Sequence, residues 1–142
     1  MQATTLYEAL QGMERTAQSL QVQGVAVVMA CHNANVTTGK SDLLPHFRVV
    51  GRFERPPEPE TRGLTDTGTN YLAIAWSKVA EMVSTQADSG SAYRAERNGE
   101  CGYQGGLVRQ RGEWTYFVAF SGGSESQDLQ IAQVGMDVLL KS

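Results

Sequence analysis

The segment FSGGSESQD at 120–128 has residue types and spacing suited to binding a polar or anionic ligand. A strand-like apolar run stops at Ser121–Gly123, and a helical pattern begins directly after it. Ser124 and Gln127 have the Ser-x-x-Gln spacing of a capping box, which satisfies two free backbone donors of a helix. The remaining N–H groups and the positive helix end would face a ligand above the glycines. A tight strand-to-helix turn without a ligand is the alternative.

We also expect an unusual backbone conformation at one of the two glycines of this turn. The chain must leave a strand and enter a helix within three residues, so we expect Gly122 or Gly123 to have a positive φ. Asp128 follows near the first turn of the helix, where the helix dipole favours a carboxylate even without any function.

A lysine in the middle of a predicted helix is the second candidate ligand contact. Lys78 lies beside the apolar stripe of a helix predicted at about 69–86. Its ammonium group either pairs with an anionic ligand or reaches the surface while the side-chain stem covers apolar area. Asn70 and Tyr71 begin the same helix, and they either hydrogen-bond a ligand or cap and pack the helix.

The segment GECGYQGG at 99–106 leads from a long loop into a predicted strand. Consecutive glycines at Gly105 and Gly106 expose backbone N–H groups and allow another group to approach closely. With Tyr103 they are candidate ligand contacts, and a β-bulge or turn is the alternative. Glu100 precedes them as a candidate acid–base group.

The chain has two histidines and two cysteines. Cys31 and His32 are adjacent in a predicted strand and would point to opposite faces, unlike the closely paired ligands of zinc sites. We therefore predict no metal site, and the lack of Cys-x-x-Cys spacing indicates that Cys31 and Cys101 are free thiols. One axial ligand suffices for haem, so His46 and His32 are candidate haem ligands, with structural or exposed roles as the alternative.

Composition excludes several classes of protein. The 142 residues, 41% of them hydrophobic, suffice for one packed domain spanning 1–142. A net charge of −3 with scattered arginines and no basic stripe argues against nucleic-acid binding. No apolar run approaches the length of a membrane span, and the N-terminus lacks the pattern of a secretory signal, so we predict a cytoplasmic protein. No Ser-His-Asp order, P-loop or G-x-G-x-x-G motif supports a specific enzyme reaction, and whether the chain is an enzyme is left open.

Apolar periodicity and breaker residues divide the chain into three helices and four strands in the order α-β-β-α-β-β-α. Adjacent strands with short connections favour antiparallel pairing. The predicted fold is therefore α+β, with an antiparallel sheet of about four to five strands packed with three helices. In the N-terminal half we expect a first helix opened by a capping box at Thr5-x-x-Glu8, strands at 25–31 and 47–53, and an extended proline-rich connection at 54–63. Gly51 inside the second strand indicates a bulge or a close approach by another backbone. In the C-terminal half we expect a helix at 69–86, a loop at 88–100, a hairpin of strands at 106–110 and 114–121, and a helix at 124–140.

Three blocks of sequence together resemble one known family. They are TGTNYLAIAWSKVAEM at 67–82, GECGYQGG at 99–106 and FSGGSESQD at 120–128, the last followed by a helix bearing Ala132 and Gly135. This combination resembles the GlcG/HbpS-like family, also described as haem-degrading or haem-binding, which includes the C-terminal domain of PduO-type proteins. The resemblance covers most of residues 4–140. Most members carry Val-Val-Asp-x-x-Gly and Arg-Met-Asp-Gly-Ala segments in the N-terminal half, and this chain differs from them there.

The resemblance implies a profilin-like sandwich, a homo-oligomer, and a small-molecule ligand that is a tetrapyrrole (haem or corrinoid) or a small organic acid. Apolar side chains left over by the predicted packing, such as Trp76 and Trp114, agree with an oligomer. The alternatives are an enzyme acting on a small acid or cofactor, with acid–base roles for Lys78, Glu100 or Asp128, and a structural module without a ligand. The candidate ligand-binding residues are Lys78, Tyr103, Gly105, Gly106, Ser121, Gly122, Gly123 and Ser124.

Overall fold

A computed structural model describes residues 3–33, 44–91 and 94–141. Its main sheet has four antiparallel strands in the order β2-β1-β6-β5, and β3 and β4 form a separate two-stranded sheet. The elements are α1 (Ala3–Ser19), β1 (Gly24–His32), β2 (Leu44–Val50), β3 (Glu54–Arg55), α2 (Pro59–Arg62), β4 (Thr69–Asn70), α3 (Tyr71–Thr85), β5 (Gly106–Arg111), β6 (Trp114–Ser121) and α4 (Glu125–Lys141).

Helices cover both faces of the central strands β1 and β6. Alternate residues of β1, such as Val28, pack with α1 and α4 in one hydrophobic cluster. The intervening residues, such as Val27, pack with α3 in a second cluster on the other face. Because both faces are covered, β1 and β6 are apolar in nearly continuous runs rather than in alternation. The α+β fold with an antiparallel sheet and three packed helices is confirmed.

Two elements in the N-terminal half have bounds that differ from the prediction. The first helix already includes Ala3, so Thr5 and Glu8 lie inside it and do not cap its start. The second strand spans Leu44–Val50 rather than 47–53. Gly51 is not a bulge within it but the centre of a γ-turn, with φ +76° and a hydrogen bond of 2.9 Å from Arg52 N to the Val50 carbonyl.

The proline-rich segment was predicted to be an extended connection, and this is wrong. It contains β3 and the four-residue helix α2, and β3 pairs with β4 in the two-stranded sheet. The Arg55 guanidinium donates to both carboxylate oxygens of Asp66 at 2.9 and 2.8 Å, and Glu58 N donates to the same carboxylate at 2.7 Å. These contacts hold the ends of the segment together, and Pro59 occupies the first turn of α2, where no backbone donor is needed.

The C-terminal half follows the prediction closely. The hairpin of β5 and β6 and the helix α4 lie within a residue or so of their expected bounds. Helix α3 begins at Tyr71, with the side chain of Asn70 accepting a hydrogen bond from Ala73 N at 2.9 Å as its N-cap. None of the helices in the described ranges is long and apolar enough to cross a membrane.

Candidate functional site

The turn between β6 and α4 lies against the start of β1. Ser121 pairs with Val25 at the end of the sheet, and Gly122 follows with φ +146°. A Cβ on Gly122 would overlap the Gln23 carbonyl oxygen and come within 2.7 Å of the Gly24 Cα. The expected positive φ is therefore confirmed at Gly122, where close backbone approach also excludes a side chain.

The predicted capping box is confirmed by its two reciprocal hydrogen bonds. Ser124 N donates to Gln127 Oε1 at 3.0 Å, and Gln127 N donates to Ser124 Oγ at 3.2 Å. Gly123 N donates to Asp128 Oδ1 at 2.9 Å. Because the chain itself satisfies these three donors, they are not free for a ligand as the sequence analysis expected.

Lys78 and Asp128 form a buried ion pair behind the turn. The Lys78 side chain is 1% exposed, and its ammonium donates to Asp128 Oδ2 at 3.1 Å and to the Phe120 carbonyl at 2.6 Å. The interpretation of Lys78 as a surface lysine is therefore wrong, since the charge is buried with its stem. The start of α4, the end of β6 and the middle of α3 meet at this pair.

Burial raises the pKa of the Asp128 carboxyl, and the Lys78 ammonium and the Gly123 N–H act in the opposite direction. A buried ion pair is retained only when further hydrogen bonds satisfy both groups. Here Phe120 supplies a carbonyl to the ammonium and Gly123 supplies an N–H to the carboxylate. The ion pair therefore has no net charge, and each of its two groups makes a further hydrogen bond to the backbone.

A cavity of about 330 Å³, which we call the glycine-turn cavity, opens above this pair. Side chains and backbone from α3, the 99–106 loop, the turn and α4 form its wall. Six of the eight predicted ligand-binding residues line it: Lys78, Tyr103, Ser121, Gly122, Gly123 and Ser124.

Gly105 and Gly106, the other two predicted contacts, do not line the cavity. A Cβ on Gly105 would lie 2.6 Å from Lys78 Nζ and 2.7 Å from the Asp128 Cβ, so this glycine leaves room for the ion pair. Gly106 N donates to Ser89 Oγ at 2.9 Å, and a Cβ there would lie 2.8 Å from the Met82 Cε. Both glycines therefore allow neighbouring side chains to pack closely behind the cavity.

Five lining residues lie outside the predicted set of ligand contacts, although Tyr71 was considered as a possible hydrogen-bond partner of a ligand. Tyr71, Ile74 and Lys78 lie three and four residues apart, so they share one face of α3, and this spacing was a usable signal. No local signal marked Thr69, because only the folded 55–69 segment brings it to the cavity. The lining residues outside the predicted set are Thr69, Tyr71, Ile74, Glu125 and Asp128.

The structure does not bring the two histidines to this cavity. His32 lies at the far end of β1, opposite Trp114, whereas the cavity lies near Val25, which pairs with Ser121. The seven residues from Val25 to His32 span roughly 23 Å at the usual rise of a strand. His46 pairs with Val28 on β2, and so lies on the sheet face that packs against α1. Its Nδ1 is buried without a hydrogen-bond partner in the described structure. Haem ligation by either histidine stays a prediction.

Glu100 also lies outside the glycine-turn cavity. Its carboxylate accepts two hydrogen bonds from the Arg94 guanidinium, at 2.8 and 2.9 Å, and one from Arg97 N at 2.7 Å. The Arg94 contact, followed by the Arg97 N–H, lowers the pKa of Glu100 from 4.5 to about 2. Such a carboxylate stays ionised and anchors its loop. Among the described residues, no cluster of three or more His, Cys, Asp or Glu side chains could hold a metal ion.

Comparison with known proteins gives one informative match. No protein-family model and no curated protein sequence matches this chain. Among solved structures it is similar to the crystal structure of a PduOC:heme complex, with a TM-score of 0.63 over 97% of this chain and 94% of that chain. The sequences are 17% identical over this match. The likeness therefore shows that this chain shares the fold of the PduOC chain.

Proposed function

We propose that this chain is a small-ligand-binding domain whose ligand occupies the glycine-turn cavity. The cavity itself carries the proposal: it has about 330 Å³ of space beside a buried ion pair, with both apolar and hydrogen-bonding side chains in its wall. This volume lies at the lower end of the range for small-molecule sites, and a mixed lining is their usual composition. The proposal includes a cytoplasmic homo-oligomer, as the sequence predicts.

The ligand classes under consideration are haem, a corrinoid and a small organic acid. The similar PduOC structure is a haem complex, which supports testing haem directly. Among the described residues, the cavity lining contains no histidine, cysteine or methionine, and Tyr71 and Tyr103 are its only side chains of a type that ligates haem iron. This donor set and the modest volume therefore fit a small organic acid better than a tetrapyrrole.

The test combines thermal-shift measurements over a panel of organic acids with a haemin titration followed in the Soret region. A ligand that binds only the native state raises the apparent stability, so a bound acid will raise the melting temperature. Tyr103→Ala removes a half-exposed side chain from the cavity wall and is expected to weaken binding without unfolding the chain.

Tyr7→Ala is the matched control, because Tyr7 is similarly exposed, at 52% against 51% for Tyr103, but lies on α1. It is expected to bind as the wild type does. If neither acids nor haemin produce a shift, the proposal fails for these two ligand classes, as the alternative of a structural module without a ligand predicts. If Tyr7→Ala and Tyr103→Ala weaken binding equally, the ligand does not occupy this cavity.

A second candidate is an enzyme acting on a small acid or cofactor. The observation that favours it is the Lys78–Asp128 pair at the cavity wall, because a carboxyl of raised pKa is suited to proton transfer. Asp128→Asn would keep the shape of the side chain while removing its proton exchange. Retained binding with lost turnover of a bound acid, followed by NMR, would support catalysis, and unchanged turnover would exclude Asp128 as its acid–base group.

A further inference from the structure

A second cavity of about 350 Å³ adjoins the glycine-turn cavity, and we call it the arginine cavity. The two cavities share Tyr71, Gly122 and Gly123 in their walls, so they meet at the turn between β6 and α4. Beyond this shared rim, the arginine cavity is lined mainly by polar side chains: Gln21, Gln23, Arg52, Arg62 and Gln127.

The charges of the two cavities differ. The arginine cavity has two guanidinium groups and no carboxylate among the described residues of its wall. Arg62 is paired with Glu58 at 2.9 Å, on the exposed side of α2. Arg52 makes no ion pair with any described residue, and its only hydrogen bond to them is through its backbone N. Arg52 therefore brings to this cavity an exposed positive charge that has no carboxylate partner among the described residues.

Ordered segments of the fold position this charge. The γ-turn at Gly51 directs the chain past Gln23, whose side chain would meet a Cβ on Gly51 at 2.6 Å. The Phe53 carbonyl then accepts hydrogen bonds from the backbone N–H of Tyr71 at 2.9 Å and of Leu72 at 3.3 Å. The backbone on either side of Arg52 is thus held by contacts to Gln23 and to the start of α3.

The cation of the glycine-turn cavity, the Lys78 ammonium, is less accessible to a ligand than the Arg52 guanidinium. The Lys78 ammonium is 1% exposed and already donates to Asp128 and to the Phe120 carbonyl. Arg52 is exposed and has no carboxylate partner among the described residues, so it is the more accessible cation for an anionic group.

We propose that the ligand is an elongated amphipathic anion that spans both cavities. Its apolar body packs against Tyr71, Ile74 and Tyr103, and its carboxylate or phosphate group accepts hydrogen bonds from Arg52. This inference rests on the proposed ligand-binding function and specifies the chemical class of ligand. The glutamines at the arginine end supply further donors to the anionic group.

The test titrates the ¹⁵N-labelled full chain with matched probe pairs and follows the amides of Arg52, Gly122 and Gly123 by NMR. The pairs are 4-phenylbutyrate and its amide, indole-3-propionate and its amide, and octanoate and its amide. We expect the carboxylate of at least one pair to bind about tenfold more tightly than its amide, as a charge-assisted hydrogen bond implies. In Arg52→Gln, the affinity for the carboxylate should fall to that for the amide, while the affinity for the amide should stay the same.

Arg111→Gln is the control, since Arg111 is an exposed arginine opposite Trp114 at the far end of the sheet. It should retain the preference for carboxylates. Equal binding of carboxylates and amides, or an unchanged preference in Arg52→Gln, would overturn this inference while leaving the ligand-binding function in place. Inorganic phosphate binding as tightly as the carboxylates would also overturn it, because the apolar body of the ligand would then contribute nothing to binding. If no probe of any pair shifts the turn amides, this inference fails, and the acid panel and the haemin titration decide the ligand-binding function separately.

Discussion

Gly122 shows how one residue can fix the geometry of the whole candidate site. Its φ of +146° and its close approach to Gln23 and Gly24 bring the β6–α4 turn against the start of β1. This contact forms the rim shared by the two cavities. The atoms that a Cβ on Gly122 would meet belong to the backbone, so a side chain could be accommodated only if that backbone shifted.

Gly122→Ala should therefore lower the free energy of unfolding by roughly 2–4 kcal/mol, through both backbone strain and overpacking. Gly112→Ala is the matched control, because Gly112 also has a positive φ, +60°, but no atom lies within 4 Å of the position that its Cβ would take. It should cost only about 1 kcal/mol. Urea denaturation measures both variants, and equal losses would contradict the role of close approach.

The Lys78–Asp128 pair is the second determinant at the residue scale. Breaking a buried pair leaves an uncompensated charge, so Lys78→Met and Asp128→Asn should each cost about 3–5 kcal/mol. The double variant should cost clearly less than the sum, because neither charge then remains. Urea denaturation of all four proteins completes the cycle. Strictly additive losses would show that the two side chains do not stabilise each other.

At the scale of elements, α4 begins where its capping box directs it. Ser124→Ala should cost about 1 kcal/mol through the lost hydrogen bond to Gln127 N. Ser126→Ala, an exposed serine in the same turn, is the control and should change stability little, since alanine is a good helix former. Denaturation of the two variants distinguishes the cap from general helix propensity. Ligand binding by Ser124→Ala should stay near that of the wild type.

Gly123→Val addresses the same turn from the cavity side. A Cβ there would lie 2.8 Å from Gln127 Oε1 and 3.2 Å from Asp128 Oδ1, so the substitution disturbs both the cap and the ion pair. We expect lower stability, and weaker binding of any ligand found by the thermal-shift screen than that stability loss explains. Binding equal to that of the wild type would place the ligand elsewhere.

Two surface segments are held by arginine–carboxylate contacts, and these contacts respond to pH. Hydrogen bonds from Arg55 lower the pKa of Asp66, and those from Arg94 lower the pKa of Glu100 to about 2. A lowered folded-state pKa gives stability that is present above the unfolded value and lost as pH falls. For Glu100 this loss occurs between about pH 4.5 and pH 2.

Stability measured by urea denaturation at stepped pH should therefore fall over this range. Glu100→Gln should show a shallower fall, because it lacks the titrating group. Glu8→Gln, which removes an exposed carboxylate of α1, is the control and should follow the wild type. A wild-type slope in Glu100→Gln would show that the Arg94 contact contributes nothing to the pH dependence.

At the scale of the whole molecule, the distribution of exposed apolar side chains bears on assembly. Trp76 and Trp114, which the sequence indicated as spare apolar surface, are partly buried against the two hydrophobic clusters. The exposed apolar side chains instead include Phe47, Val49 and Phe53, on and just after the edge strand β2. The predicted homo-oligomer is checked by light scattering at high protein concentration, and a monomeric mass would contradict it.

Local patterns were sufficient for most of the C-terminal half. The Ser-x-x-Gln spacing predicted the start of α4, and the two apolar runs around Gly112 predicted the β5–β6 hairpin. The glycine pair predicted a positive φ at Gly122 or Gly123, and Gly122 has it. These features depend on neighbours within a few residues, so the sequence alone determines them. The fold class followed from the order of such elements.

Tertiary structure decided what the sequence could not. The burial of Lys78 depends on Asp128, fifty residues away, and the folding of the proline-rich segment depends on the contact between Arg55 and Asp66. The sequence gives no spacing rule for such distant pairs, because packing of the whole chain brings them together. The same packing leaves His32 and His46 away from the glycine-turn cavity and brings Arg52 beside it, so the composition of the candidate site follows from strand register and helix placement rather than from any motif.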